Sequence, residues 1–353
     1  MNFHRDRCMR KPCFLLLLLL SFWMHAAFAQ DAAVDEEDVV EAEDVEEGAR
    51  DLGTYVVSGV QPGPGLWKVR HGEHTLYILG TVSPLPKGME WRSGEVAAVL
   101  EEAGAVLGPP GITVGAGIGR IRGLMLLPSA LRATNNPDGQ TLQDVLPADV
   151  HARWAVLKAR YIGRDRGIEK KRPLFAAMRL YEKAVDRSGL RQGGVVGPVV
   201  NDVLKRRKMT TTSTLLALKI EDPRAAIADL REEALRPEDI ACFSRTLDII
   251  ERDLPQMVAH ANAWAVGDID ALRSMPVEGQ YRACLSAWSG SEVARKHGIT
   301  DIERRVRERW MEVAESALRE HAVVFGTVSV SELLRPGGLL ESLAARGYEI
   351  ESP

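Results

Sequence analysis

Leu76-Tyr77-Ile78-Leu79-Gly80-Thr81-Val82-Ser83 has a near copy, Val323-Val324-Phe325-Gly326-Thr327-Val328-Ser329, towards the other end of the 353-residue chain. Each copy is a short apolar run that ends in Gly-Thr-Val-Ser, a pattern typical of a buried strand. We expect the two strands to lie in one sheet with their carboxyl ends together, where open α/β sheets bind ligands in a crevice. The candidate crevice residues from the two copies are Gly80, Thr81, Ser83, Gly326, Thr327 and Ser329.

The segments around the two copies predict further strands and helices. In chain order they are a hairpin of residues 66–69 and 75–79, a helix after Ser93, a strand at 105–107, a helix opened by a capping box at 300–303, a helix at 339–345 and a strand at 348–350. The predicted fold class is α/β, with a mixed central sheet formed by N- and C-terminal strands.

A large helical insertion, at about residues 142–320, is predicted between these strands. Apolar residues recur there at spacings of four, three and four, as in Val150, Trp154, Leu157 and Tyr161. Aromatic and methionine residues at such spacings are typical of a helical core. The sequence therefore assigns no cofactor to this region.

Residues 1–29 are typical of a cleavable signal peptide. Basic residues precede an apolar run from Cys13 to Trp23, and Ala27 and Ala29 supply the small side chains that a signal peptidase requires. We expect cleavage before Gln30, export, and a periplasmic location. The alternative is an uncleaved membrane anchor, although the run is short for a bilayer. No other stretch is long and apolar enough to span a membrane.

Charge is unevenly distributed along the chain. Residues 30–51 carry eleven acidic residues and one basic residue, which predicts a disordered acidic tether, whereas residues 52–353 hold a net charge of +3. The longest basic run of the folded part, Lys205-Arg206-Arg207-Lys208, is typical of a solvated helix end. The pattern excludes a nucleic-acid-binding protein of the usual basic kind. An envelope protein or a peptide stays open as a partner.

Two cysteines, Cys242 and Cys284, remain after the predicted cleavage. Disulfides persist in the compartments that a signal peptide reaches, so we predict a bond between them. Two separate buried thiols or a metal pair are the alternatives, and the long spacing between the cysteines is not that of metal ligands.

The order of these elements resembles that of the TraB/GumN family, which includes the Tiki metalloproteases. The resemblance spans most of residues 66–351 and is carried by Leu66-Trp67-Lys68-Val69, Gly80-Thr81, residues 95–107 and the closing segment from Glu308-Arg309 to Gly347-Tyr348. It implies a mixed α/β core with a helical insertion. In active members it implies a metal-dependent peptidase built on two Gly-x-x-His motifs and an acidic residue. Arg309 matches an arginine of the family and joins the candidate crevice.

The departures from this pattern fall on the implied metal ligands. Ser83 and Ser329 stand where the two histidines are expected, Gly108 stands where the acidic residue is expected, and Trp310 replaces an asparagine. Neutral hydroxyl groups bind divalent metals weakly beside imidazole or carboxylate groups. The sequence therefore predicts no metal, no cofactor and no metallopeptidase activity, and it favours a degenerate member that acts by binding.

The sequence gives less support to a serine hydrolase, a histidine metal site or a nucleotide-binding loop. Neither Ser83 nor Ser329 lies in Gly-x-Ser-x-Gly, so a serine hydrolase is disfavoured, and both hydroxyls are expected to bind backbone groups. His71 and His74 flank a turn, and residues 115–120 match neither a dinucleotide fingerprint nor a P-loop. An active hydrolase or metallopeptidase with a rearranged site stays open as the alternative function.

Overall fold

The computed structural model describes residues 63–115, 117–192, 194–275, 284–285 and 288–353. The predicted signal peptide and acidic tether lie outside these residues. The strands are β1 (Leu66–His71), β2 (His74–Thr81), β3 (Leu85–Pro86), β4 (Ala105–Leu107), β5 (Ile112–Gly115), β6 (Leu190–Arg191), β7 (Leu216–Lys219), β8 (Val323–Ser329) and β9 (Glu349–Glu351).

The described helices connect these strands. They are α1 (Gly94–Glu102), α2 (Arg120–Ala133), α3 (Leu142–Val145), α4 (Ala148–Tyr161), α5 (Pro173–Arg187), α6 (Val196–Arg207), α7 (Pro223–Glu232), α8 (Pro237–Asp248), α9 (Met257–Ala265), α10 (Ile269–Ser274), α11 (Glu292–Lys296), α12 (Ile302–Glu320), α13 (Val330–Leu334) and α14 (Leu339–Ala344). A π-helical turn, Ile249–Asp253, follows α8 directly.

The central sheet confirms the predicted α/β fold class. Its strand order is β4-β8-β2-β1-β9, so strands from both ends of the chain form it. β8 lies parallel to β2 and to β4, whereas β1 is antiparallel to β2 and to β9. The two near-copies are therefore neighbouring parallel strands whose carboxyl ends share one edge.

The register of these strands differs from the alignment of the two copies. Thr81 lies opposite Ser329, and Gly80 lies opposite Val328. The copies are thus offset by two residues, and Ser83 lies beyond the end of β2. An offset of two leaves equivalent side chains on the same face of the sheet because side chains alternate along a strand.

Two large hydrophobic clusters stabilise the chain. One surrounds the central sheet and includes Trp67, Trp264, Trp310 and Phe325. The second lies among α3, α4, α5 and α8. The buried residues of α4 are the four predicted from spacing, because that stripe faces the neighbouring helices.

Several local predictions differ from the structure. The helix expected after residue 300 begins at Ile302, but its N-cap residue Asp301 has a φ of 51° and makes no side-chain cap, so the predicted capping box does not form. The strand that the apolar run at residues 322–326 predicts extends further in the structure, to Ser329 at the end of β8. The sequence assigned no elements to β5 and α2. A strand of four residues beside a glycine-rich stretch has too few apolar positions for a clear period.

Cys242 in α8 and Cys284 lie at disulfide distance, with 4.9 Å between their Cα atoms. This placement agrees with the predicted bond. Within the described residues, no helix is both long and apolar enough to cross a membrane.

Candidate functional site

The carboxyl edge of the central sheet borders a cavity of about 1060 Å³. Thr81, Ser83 and Ser329 line it, as expected for residues at the ends of β2 and β8. α9 and α10 contribute one wall, α12 a second, and the segment from Val330 to Leu339 a third. The sheet topology thus brings the two copies together at one site.

The two glycines of the copies are packing positions and are not among the residues that line the cavity. A Cβ atom on Gly80 would lie 2.5 Å from the Trp67 ring, and one on Gly326 would lie 3.0 Å from the Trp310 ring. The Gly80 carbonyl also accepts a hydrogen bond of 2.6 Å from the indole nitrogen of Trp264. Thr327, paired with Leu79 in the sheet, is likewise outside the lining.

Both serine hydroxyls bind backbone groups. Ser83 Oγ donates to the Gln192 carbonyl at 2.9 Å, and Ser329 Oγ accepts from the Glu332 amide at 3.2 Å. Ser329 thereby caps α13, and its hydroxyl also lies 3.2 Å from that of Ser331. The hydrogen bonds found for the described residues pair neither hydroxyl with a histidine. Serines often bind nearby backbone groups in this way. A nucleophilic serine would instead form a hydrogen bond with a base such as histidine.

The indole of Trp310 packs against Gly108, the position where the resemblance implies an acidic ligand. Trp310 is fully buried, and its Nε1 donates to the Gly108 carbonyl at 3.0 Å. Thr214 Oγ1 donates to the same carbonyl at 3.0 Å. Gly108 and Trp310, two of the departures from the family pattern, therefore contact each other.

The arginine that faces the cavity is Arg307, and the sequence-predicted Arg309 lies elsewhere. Arg309 pairs with Glu312 at 2.9 Å on the outer side of α12. Arg307 lines the cavity and pairs with Glu332 at 3.1 Å. Helical periodicity could have revealed this, because Arg307 lies three residues before the buried Trp310 and shares its face.

The charges in the cavity are largely paired. Arg335 binds Glu332 at 2.6 Å and approaches Glu303 at 3.9 Å, while Arg307 binds Glu332 from α12. Arg273 also lines the cavity and is 3.9 Å from the exposed Asp270. Three arginines against two glutamates leave a formal charge of +1 on the lining. The rest of the wall is mainly apolar.

His260 is a cavity residue that the sequence did not single out. It is 3% exposed, and it lies one helical turn before Trp264 on α9. Its Nε2 contacts the Met275 carbonyl, whereas its buried Nδ1 has no hydrogen-bond partner among the described residues. The packing of α9 across the end of β2, which sequence spacing does not show, places this imidazole there.

A partly buried acidic group, Asp253, lies in the π-helical turn and interacts electrostatically with His260. Burial raises the pKa of Asp253, and the Arg245 guanidinium opposes that rise. Burial also raises the pKa of Tyr181 to about 12, with the Asp253 charge contributing. Single π turns in α-helices often occur at functional sites.

The donor set at the cavity does not fit the family's divalent metal. The positions implied as ligands hold two hydroxyls committed to the backbone and a glycine. The two lining glutamates are in contact with arginines, and His260 is the one imidazole among the described lining residues. A search of the described residues finds no group of three or more His, Cys, Asp or Glu side chains placed to hold a metal.

Comparison with known proteins gives one match. No curated protein and no solved structure matches the chain significantly. The family model of the TraB/PrgY/gumN family matches residues 65–352, which include β1 to β9 and all the described helices. By this match, the chain belongs to the TraB/PrgY/gumN family.

Proposed function

We propose that this protein is an exported, catalytically degenerate member of its family that acts by binding a ligand in the cavity at the sheet edge. The single observation that carries the proposal is the Trp310–Gly108 hydrogen bond of 3.0 Å, beside two serine hydroxyls that bind the backbone. These groups supply neither the negative charge nor the imidazoles that would offset dehydration of a divalent cation. Export and a periplasmic location rest on residues 1–29.

The cavity supports binding of a peptide segment or part of an envelope protein. Its walls are largely apolar, and its charged residues gather around Glu332. Ligand sites commonly combine an apolar lining with a few polar groups that fix orientation. A segment with apolar side chains and one charged end matches this arrangement.

Metal analysis and a peptidase assay on the purified mature protein test the loss of catalysis. We expect no stoichiometric Zn²⁺, Mn²⁺ or Co²⁺ and no chelator-sensitive cleavage. Stoichiometric metal, or cleavage abolished by a chelator, would show that ligands lie elsewhere and that the proposal is wrong.

A rescue series tests whether the inferred positions correspond to the family's ligands. Ser83→His with Ser329→His should add weak metal binding, since β2 and β8 are neighbouring parallel strands. Gly108→Asp should strengthen it, because a Cβ there meets its nearest atom, Thr211 Cγ2, at 3.5 Å. Unchanged metal binding in the folded triple variant would refute the positional correspondence.

Ligand binding is tested separately with an apolar fluorescent dye. Val306→Trp enlarges a side chain that lines the cavity and should reduce dye binding, whereas Val156→Trp changes an exposed residue of α4 outside the cavity lining. Equal dye binding by both variants would contradict use of this cavity.

A second candidate function, a hydrolase with a rearranged site, is favoured by one observation. His260 lines the same cavity as Ser83, and no described residue gives its Nδ1 a hydrogen-bond partner. Hydrolysis of an activated ester that is lost in Ser83→Ala and in His260→Gln would support it. We favour the binding function because Ser83 Oγ already donates to Gln192.

A further inference from the structure

Helix α2 presents a row of large apolar side chains away from the protein. Its outer face consists of Ile121, Leu124, Met125, Leu127 and Leu131, which are 49–74% exposed. The opposite side of the helix packs against α7. Single exposed apolar residues are ordinary, but a contiguous group of five on one helix marks an interaction surface. We call these five residues the α2 face.

The chain around the α2 face is cationic. Residues 111–137 contain no Asp or Glu, and their only charged residues are Arg120, Arg122 and Arg132. At the C-terminal end of α2, a second cavity is lined by Arg132, Lys170 and Arg231, together with Asp138 and Glu232. Arg122 near the N-terminal end of α2 and Arg132 in its last turn therefore place positive charge beside the apolar row.

This combination of charges decides between the possible occupants. A second copy of the chain would cover the apolar side chains, but a two-fold contact would bring the arginines of one α2 towards those of the other. An anionic phospholipid surface accepts the apolar side chains and attracts the arginines at the same time. Basic amphipathic helices lie in membrane interfaces in this way, with the apolar face about 5–10 Å deep.

We propose that the α2 face docks the protein on an anionic phospholipid surface, as a peripheral contact. This inference does not depend on the proposed ligand cavity. It predicts that membrane association needs both the apolar row and the arginines. Exposed leucines alone would also favour neutral lipid, whereas arginines near an anionic surface each strengthen binding about fivefold.

Vesicle co-sedimentation of the purified mature protein tests the proposal. The vesicles contain phosphatidylglycerol with phosphatidylethanolamine, or phosphatidylcholine alone. The apolar variant carries Leu124→Gln, Met125→Gln and Leu131→Gln, because glutamine keeps a high helix propensity. The charge variant carries Arg122→Gln and Arg132→Gln. The matched control is Val156→Gln, at a residue of α4 that is 69% exposed.

We expect the unmodified protein to bind the anionic vesicles and not the neutral ones. The apolar variant should lose about tenfold or more in binding, and the control should lose nothing. The charge variant should lose about tenfold or more at low salt. Unchanged thermal unfolding would show that all three variants fold.

Three results would overturn the proposal. One is equal binding to neutral and anionic vesicles, and another is equal binding by the apolar variant and the control. The third is no binding to any vesicle. In the last case, light scattering that shows a dimer lost in the apolar variant would assign the α2 face to a second copy. If residues 30–51 of the same chain covered the α2 face, the protein would likewise bind no vesicle.

Discussion

Gly80→Ala tests the packing at the carboxyl edge of the sheet. The added Cβ would lie 2.5 Å from Trp67 Cζ3 and 2.9 Å from Val330 Cγ2. Trp67 is only 1% exposed and belongs to the core around the sheet, so neighbouring side chains prevent its ring from moving away from the added Cβ. The substitution therefore places a methyl group in space that an indole already occupies.

Two opposing effects determine how Gly80→Ala changes the free energy of unfolding. Overpacking of a core by one methyl group costs about 1–3 kcal/mol, and alanine recovers about 0.4–1 kcal/mol by restricting the unfolded chain. We expect a net loss of about 1–2 kcal/mol in the free energy of unfolding. For a domain of this size, that corresponds to a fall of about 2–3 °C in the melting temperature. Thermal unfolding followed by circular dichroism measures it.

Matched glycine variants make the test sharper. Gly326→Ala should cost less, because its nearest contact, Trp310 Cζ2, is 3.0 Å away. Gly94→Ala should cost nothing, because no atom lies within 4 Å of its Cβ position. Combining Gly80→Ala with Trp67→Phe should give a loss smaller than the sum of the two single losses, since the smaller ring at position 67 relieves the contact that the added Cβ creates. Equal melting temperatures for Gly80→Ala and Gly94→Ala would refute the reasoning.

Three further predictions concern parts of the chain outside the sheet edge. Replacing Cys242 by serine should lower the free energy of unfolding by about 2–4 kcal/mol, and labelling of the unreduced, denatured wild type should find no free thiol; two reactive thiols would contradict the bond. Hydrogen bonds first from Lys296 and then from His297 lower the pKa of Asp229. The stabilisation that this shift gives is present above the ordinary aspartate pKa of about 3.9 and is lost as the pH falls through the lower folded value. Asp229→Asn should therefore destabilise the protein in urea at pH 7, and by progressively less as the pH falls from about 3.9 through the lower folded pKa. An equal effect at pH 7 and in strong acid would exclude this account. Mass spectrometry of the exported protein should find Gln30 at the N-terminus, and an intact Met1 would exclude cleavage.

The sequence by itself determined the fold class and predicted which strand ends lie beside the cavity. Apolar runs ending in Gly-Thr-Val-Ser predict two strands wherever they pack, because a short apolar run that ends at a glycine is a local signal. The rule for parallel strands then placed Thr81, Ser83 and Ser329 at one edge, and all three line the cavity. The helical stripe of Val150 and Trp154 was predictable for the same local reason.

Only the tertiary structure decided what surrounds these strand ends. Sequence spacing could not show that α9 carries His260 to the cavity. Nor could it show the hydrogen bond between Trp310 and Gly108, which are 202 positions apart. Such contacts depend on how whole helices pack against the sheet. Helix packing is set by the combined shapes of many side chains, and no local pattern in the sequence encodes that sum.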